Sequence, residues 1–130
     1  MKNAALPNPA TWFEIYVTDM NRAKKFYEEV FQTTMQHLPN PTEDDMEMYT
    51  FPSDMNNHGA GGALAKMEGV SPGNNSTLIY FGSKDCSVEE NRVEKAGGKI
   101  FKPKMAIGQH GFIVLASDTE GNMFGVHSME

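Results

Sequence analysis

A chain of 130 residues with 39% hydrophobic side chains is long enough to bury one packed core without metal or disulfide staples. Its 17 acidic against 11 basic residues, a formal net charge of -6 and no basic run longer than Lys24-Lys25 exclude nucleic acid and anionic membrane as the main partner, leaving a small molecule or another protein. No segment approaches the roughly 20 apolar residues of a membrane span, no apolar run near the N-terminus suits a secretion signal, and the lone Cys86 has no intrachain partner, so a cytoplasmic protein is expected.

Residues 1–10, with Pro7 and Pro9, read as an extended lead-in. Residues 11–17 alternate in type: Phe13, Ile15 and Val17 form one apolar row, and Trp12, Glu14 and Tyr16 the other. The first row suits a strand covered by a helix. That helix follows, capped by Thr18 or Asp19, with Met20, Ala23, Phe26, Tyr27, Val30 and Phe31 at helical spacing and an end near residues 32–34. The second row is unusual, because a Glu between two large aromatics suits neither a dry core nor an ordinary wet face. It predicts the wall of a cavity. A short strand over 34–38, a turn with Pro39, Pro41 and an acidic run, a strand over 46–51, a loop rich in Asn and Gly, and a strand over 61–67 complete a βαβββ unit.

Residues 69–75 read as a linker, and the pattern then restarts. A strand is predicted over 77–81, and a helix opened by a Ser87/Glu90 capping box and stopped by Gly97-Gly98. A short strand over 99–101, a loop over 103–111, an apolar strand over 112–117, a turn over 118–122 and a last strand through His127 follow. Aligning the strand-to-helix junctions sets Asp19 opposite Asp85. The reading is thus α+β, one domain of two βαβββ modules, about 8–68 and 76–130, forming a curved mixed sheet around a cavity with the helices outside.

Residues VTDMNRAKKFYEEVF, the helix end EKAGGKI and the turn SDTEGNMFGVHS, in this order and spacing, resemble the vicinal oxygen chelate superfamily of glyoxalases, bleomycin-resistance proteins and dioxygenases. The resemblance spans nearly the whole chain. In metal-binding members it implies His or Gln seven residues before each helix-capping Asp, and Glu at the end of each module's last strand. Here the two first positions hold Trp12 and Leu78, and the closing Glu falls on Gly125. An indole, an isobutyl group and a hydrogen offer no donor to a transition metal, so neither metal nor other cofactor is expected, and metal-dependent glyoxalase I activity is not. The resemblance also implies a homodimer.

The same alignment turns Trp12, Glu14 and Tyr16 toward the cavity, joined by Leu78 and Tyr80 and by Met123, Gly125 and His127 from the last strand. Glu14 and His127 are the candidate catalytic groups, and the others the ligand-binding ones. His37 and His58 lack a carboxylate or thiol at ligand spacing, and His110 reads as a loop residue. Three functions stay open. The chain binds a small, partly apolar molecule in an aromatic and Met-lined pocket without metal, or it is a metal-independent lyase or isomerase with Glu14 as general acid or base, or it is a non-catalytic protein-interaction module with a vestigial pocket. The first is preferred.

Overall fold

The computed structural model describes residues 8, 10, 12–39, 45–54, 56–75 and 77–130. The lead-in and the proline-acidic turn expected from the sequence fall largely outside them. The first module runs β1 (Trp12–Tyr16), α1 (Met20–Phe31), β2 (Gln36–Leu38), β3 (Met46–Thr50) and β4 (Gly61–Met67). The second runs β5 (Tyr80–Gly82), α2 (Cys86–Val93), β6 (Lys99–Ala106), β7 (Phe112–Ser117) and β8 (Met123–Ser128). Each is a βαβββ unit folded into a four-stranded mixed sheet, in orders β1-β4-β3-β2 and β5-β8-β7-β6. In both, the strand before the helix lies parallel to the module's last strand and the remaining pairs are antiparallel. No ladder joins β1 to β5 among the described residues. Side-chain packing holds the two sheets together.

The repeat is clearest where each helix begins. Asp19 caps α1, accepting from the Arg22 amide, and Asp85 caps α2, accepting from both the amide and the hydroxyl of Ser87. The Ser87/Glu90 capping box therefore does not form. Asp85 precedes the helix by one residue and reaches the free amides first, while Glu90 accepts from the Lys104 amide at 3.3 Å instead. Lys104 in turn bonds Asp85 at 2.8 Å, and with Ser87 it holds the Asp85 carboxyl down to about 2. β6 is the other departure. It runs on through Pro103 to Ala106 as an edge strand, and its ladder to β7 shifts register between Ile100 and Lys102 and again between Lys102 and Met105. An edge position and irregular pairing let a residue without an amide hydrogen sit in a strand.

One core serves both modules. Ile15, Ala23, Phe26, Tyr27, Val30 and Leu64 from the first pack with Val93, Val114, Ala116, Phe124 and Val126 from the second. Aromatic rings make the seam: Phe31 and Phe81 lie 4.6 Å apart, Phe13 and Phe81 5.9 Å, and Phe26 and Phe124 5.9 Å. Offset and edge-on contacts at these distances add to the area buried.

Candidate functional site

The site takes its position from the turn between β7 and β8. Asp118 is buried there and accepts from the Tyr27 hydroxyl at 2.7 Å and from the amides of Glu120 and Asn122. Burial raises its carboxyl above the ordinary range, opposed by these hydrogen bonds. Glu120, with its side chain wholly out of solvent, crosses to the other module. It accepts from the amides of Thr18 and Asp19 at 3.0 Å each and from Arg22 at 2.7 and 3.0 Å. Burial works against its charge, yet the bonds from Arg22, Asp19 and Thr18 hold its carboxyl down to about 2. Asn122 completes the tie, donating to the Tyr16 carbonyl and accepting from the Gly73 amide. Sequence reading took this stretch for a turn and missed its bridging role. The available signal was Glu120, since Asp118, Gly121 and Asn122 already suffice for a turn.

Three of the predicted site residues sit side by side on the open face of β1. Glu14 is exposed, and both its neighbours donate to it: Tyr16 by its hydroxyl at 2.8 Å, Trp12 by its indole N–H at 3.2 Å. Each carboxylate oxygen thus carries one fixed donor and keeps a free lone pair. The hydrogen bond to Glu14 raises the Tyr16 phenol above its ordinary value, so Tyr16 remains a donor. Across the same face the strand register aligns Ala63 and Ala65 of β4 with Met48 and Thr50 of β3, and Met48, Ala63 and Ala65 form a buried patch flanked by Tyr16, Leu38 and Met46. Glu14 and Tyr16 then line a half-enclosed hollow of about 220 Å³ at the module seam, together with Ile79, Met123 and Phe124 from the second module and Pro72 and Asn75 from the connecting segment.

The remaining predicted residues lie elsewhere. Tyr80 and His127 line a second, more open hollow of about 440 Å³ with Ile107 and Ile113. His127 Nε2 lies 2.7 Å from the His110 carbonyl. A carbonyl only accepts, so Nε2 carries the hydrogen, and in the neutral ring Nδ1 is left as an acceptor. Leu78 is half-buried and lines neither hollow. Gly125 pairs with Tyr80, whose ring lies so close over it that a Cβ there would meet ring carbons at 2.4 and 2.5 Å. Only a glycine leaves space for the ring in this position.

The register also identifies the fourth chelate position, which the sequence did not align. Tyr80, five residues before the capping Asp85, pairs with Gly125; Glu14, five residues before Asp19, pairs with Ala63. Ala63 is therefore the counterpart of Gly125. The chelate positions carry an indole, an isobutyl group, a methyl and a hydrogen, a set that does not fit a metal ion. Among the described residues no group of three His, Cys, Asp or Glu is placed to hold one elsewhere.

Comparison with known proteins places this geometry among relatives. A family model described as the Glyoxalase/Bleomycin resistance protein/Dioxygenase superfamily matches residues 10–126. A "Glyoxylase-like domain-containing protein" from Didymella fabae is 29% identical over 114 residues, covering 87% of this chain and 88% of that one. Among solved structures, a glyoxalase/bleomycin resistance protein from Albidiferax ferrireducens T118 matches with TM-score 0.66 at 15% identity, over 93% of this chain and 98% of that one. Glyoxalase I from Zea mays matches with TM-score 0.71 at 20% identity, over 90% of this chain but 43% of that one. At such identities these structures speak for the fold alone.

Proposed function

This chain belongs to the Glyoxalase/Bleomycin resistance protein/Dioxygenase superfamily, and on that premise we propose that it is a metal-free binder of a small, partly apolar molecule taken into the hollow at the module seam. The carrying observation is the pairing of two facts at one place. The chelate positions offer no donor atoms, while beside Trp12 on the same strand a fixed carboxylate lines a hollow with Ile79 and Met123. At about 220 Å³ the hollow falls below the volume of a drug-sized site, so the ligand is small or enters only in part. Binding is favoured over lyase or isomerase chemistry because Glu14 and His127 line different hollows, so one chain does not bring the two proton carriers to one substrate.

Trp12 is the only tryptophan and donates directly to Glu14, which makes its fluorescence a reporter of the site. Titration with a library of small amphiphiles is expected to give a saturable change that persists after dialysis against a strong chelator. A signal abolished by the chelator and restored by one equivalent of a divalent metal would overturn the metal-free reading, and no saturable binder at millimolar concentration would overturn the binding reading.

A homodimer is part of this proposal. Trp12, Tyr80 and Met105 are large apolar side chains on the helix-free faces of the sheets, each more than 40% exposed. A second copy is the simplest cover for them. Light scattering at micromolar concentration is expected to give twice the monomer mass of 14.4 kDa. The monomer mass, unchanged on concentrating, would refute it.

A further inference from the structure

Resting on the binding reading just given, the structure assigns the ligand a chemical class: we propose that the seam hollow takes a small organic monocation, an ammonium group carrying an apolar or aryl body. What decides is which of its described polar side chains carries charge; the Ser71 and Thr77 hydroxyls also line it but are neutral. Tyr27 donates to Asp118. Asn122 spends its amide on Tyr16, Asp118 and Gly73. Asn75 spends its amide on the main chain of Thr77 and Met123. Among the described charged residues Glu14 alone lines the hollow, and it forms no ion pair with any of them. Its two hydrogen bonds hold the carboxylate in place without neutralising it, because Trp12 and Tyr16 are neutral donors.

A fixed, uncompensated carboxylate with free lone pairs accepts hydrogen bonds and positive charge, and it repels anions. Tyr16, the one of its two donors that also lines the hollow, extends the same preference, since a phenol ring attracts an ammonium group over its face. Ile79 and Met123, both half-buried at the hollow, offer apolar contact to whatever the ammonium carries. The chain's net charge of -6 draws cations in and keeps anions away. A carboxylate ligand is therefore excluded, and a neutral one gains nothing from Glu14 beyond a single hydrogen bond.

The test uses three probes of nearly one shape, phenethylammonium, 2-phenylethanol and 3-phenylpropanoate, titrated into the full chain by calorimetry and Trp12 fluorescence. The ammonium is expected to bind about tenfold or more tighter than the alcohol, and the carboxylate to show no saturation. Glu14→Gln, at an exposed position that leaves the core untouched, should bring the ammonium down to the affinity of the alcohol while the alcohol is unmoved. Tyr16→Phe, which keeps the charge and frees one oxygen, should weaken the ammonium less. Affinity for the ammonium should also fall with added salt. Equal binding of ammonium and alcohol, or an ammonium affinity unchanged in Glu14→Gln, would sink the cation proposal and leave the binding reading standing. If none of the three probes binds the wild type, the cation proposal fails, and the amphiphile titration alone decides the binding reading.

Discussion

Glu120→Ala is expected to destabilise the protein by about 1–3 kcal/mol, the cost of removing a charged acceptor whose own side chain is buried while its partner Arg22 stays half exposed. The loss is large because the side chain does several jobs at once. It accepts from two free amides at the start of α1, pairs with Arg22, and links residues about one hundred positions apart in sequence. Without it the Thr18 and Asp19 amides lose their acceptor and the guanidinium its partner. Urea denaturation of the two proteins at pH 7 measures the difference, and a loss under 1 kcal/mol would show that water replaces the carboxylate freely.

The same residue sets an acid limit. Its carboxyl stands near 2 in the folded protein against an ordinary 4.5, so its stabilisation is complete above the unfolded value and is lost as pH falls from about 4.5 toward 2. Asp118 opposes it. With a folded value raised by burial, it favours the native state when protonated and weakens it as pH rises past the ordinary 3.8. Subtracting the stability curve of Glu120→Gln from that of the wild type cancels the Asp118 contribution to first order and leaves the Glu120 step. If the two curves run parallel between pH 5 and 2.5, the ion pair contributes nothing to acid sensitivity.

Phe124→Ala is the second large effect, about 3–5 kcal/mol. The ring is 1% exposed and lies within 6.1 Å of Phe26, Tyr27, Phe31 and Phe81, so truncation empties the junction where both modules share their core. It also forms part of the seam hollow, and its removal should enlarge the hollow as well as weaken the fold. Phe124→Leu, which keeps most of the volume, is expected to lose less stability. A variant that unfolds within 1 kcal/mol of the wild type would mean that neighbouring rings collapse into the gap. The preference for ammonium over alcohol should survive, because Glu14 and its two donors are untouched.

Much of this was legible in the amino-acid order because it depends on neighbours. The alternation of residues 11–17, the stripe from Met20 to Phe31 and the composition of residues 61–67 are local patterns, and β1, α1 and β4 follow them closely. The restart after residue 75 set two capping aspartates in register, and both cap. Local rules failed where two of them competed. Ser87 and Glu90 have the spacing of a capping box, but Asp85 is nearer to the free amides; residues 103–111 read as a loop, but an irregular edge carries the strand through Pro103 to Ala106.

The candidate site divides in the same way. The family resemblance supplied three chelate positions, and the sequence showed that the side chains at 12, 78 and 125 lack ligand atoms; it also set Trp12, Glu14 and Tyr16 on one face, because a strand alternates. The tertiary structure decided what depends on distance across the chain. Strand pairing made Ala63 the partner of Glu14, and so the fourth chelate position. The turn at 118–122 reached the start of α1 through Glu120 and the end of β1 through Asn122. The seam divided the predicted site residues, with Glu14, Tyr16 and Met123 around one hollow and Tyr80 and His127 around another. The physical reason is common to all three: a side chain's donors, charge and volume belong to the residue, whereas its partners are set by how two modules of this chain pack against each other.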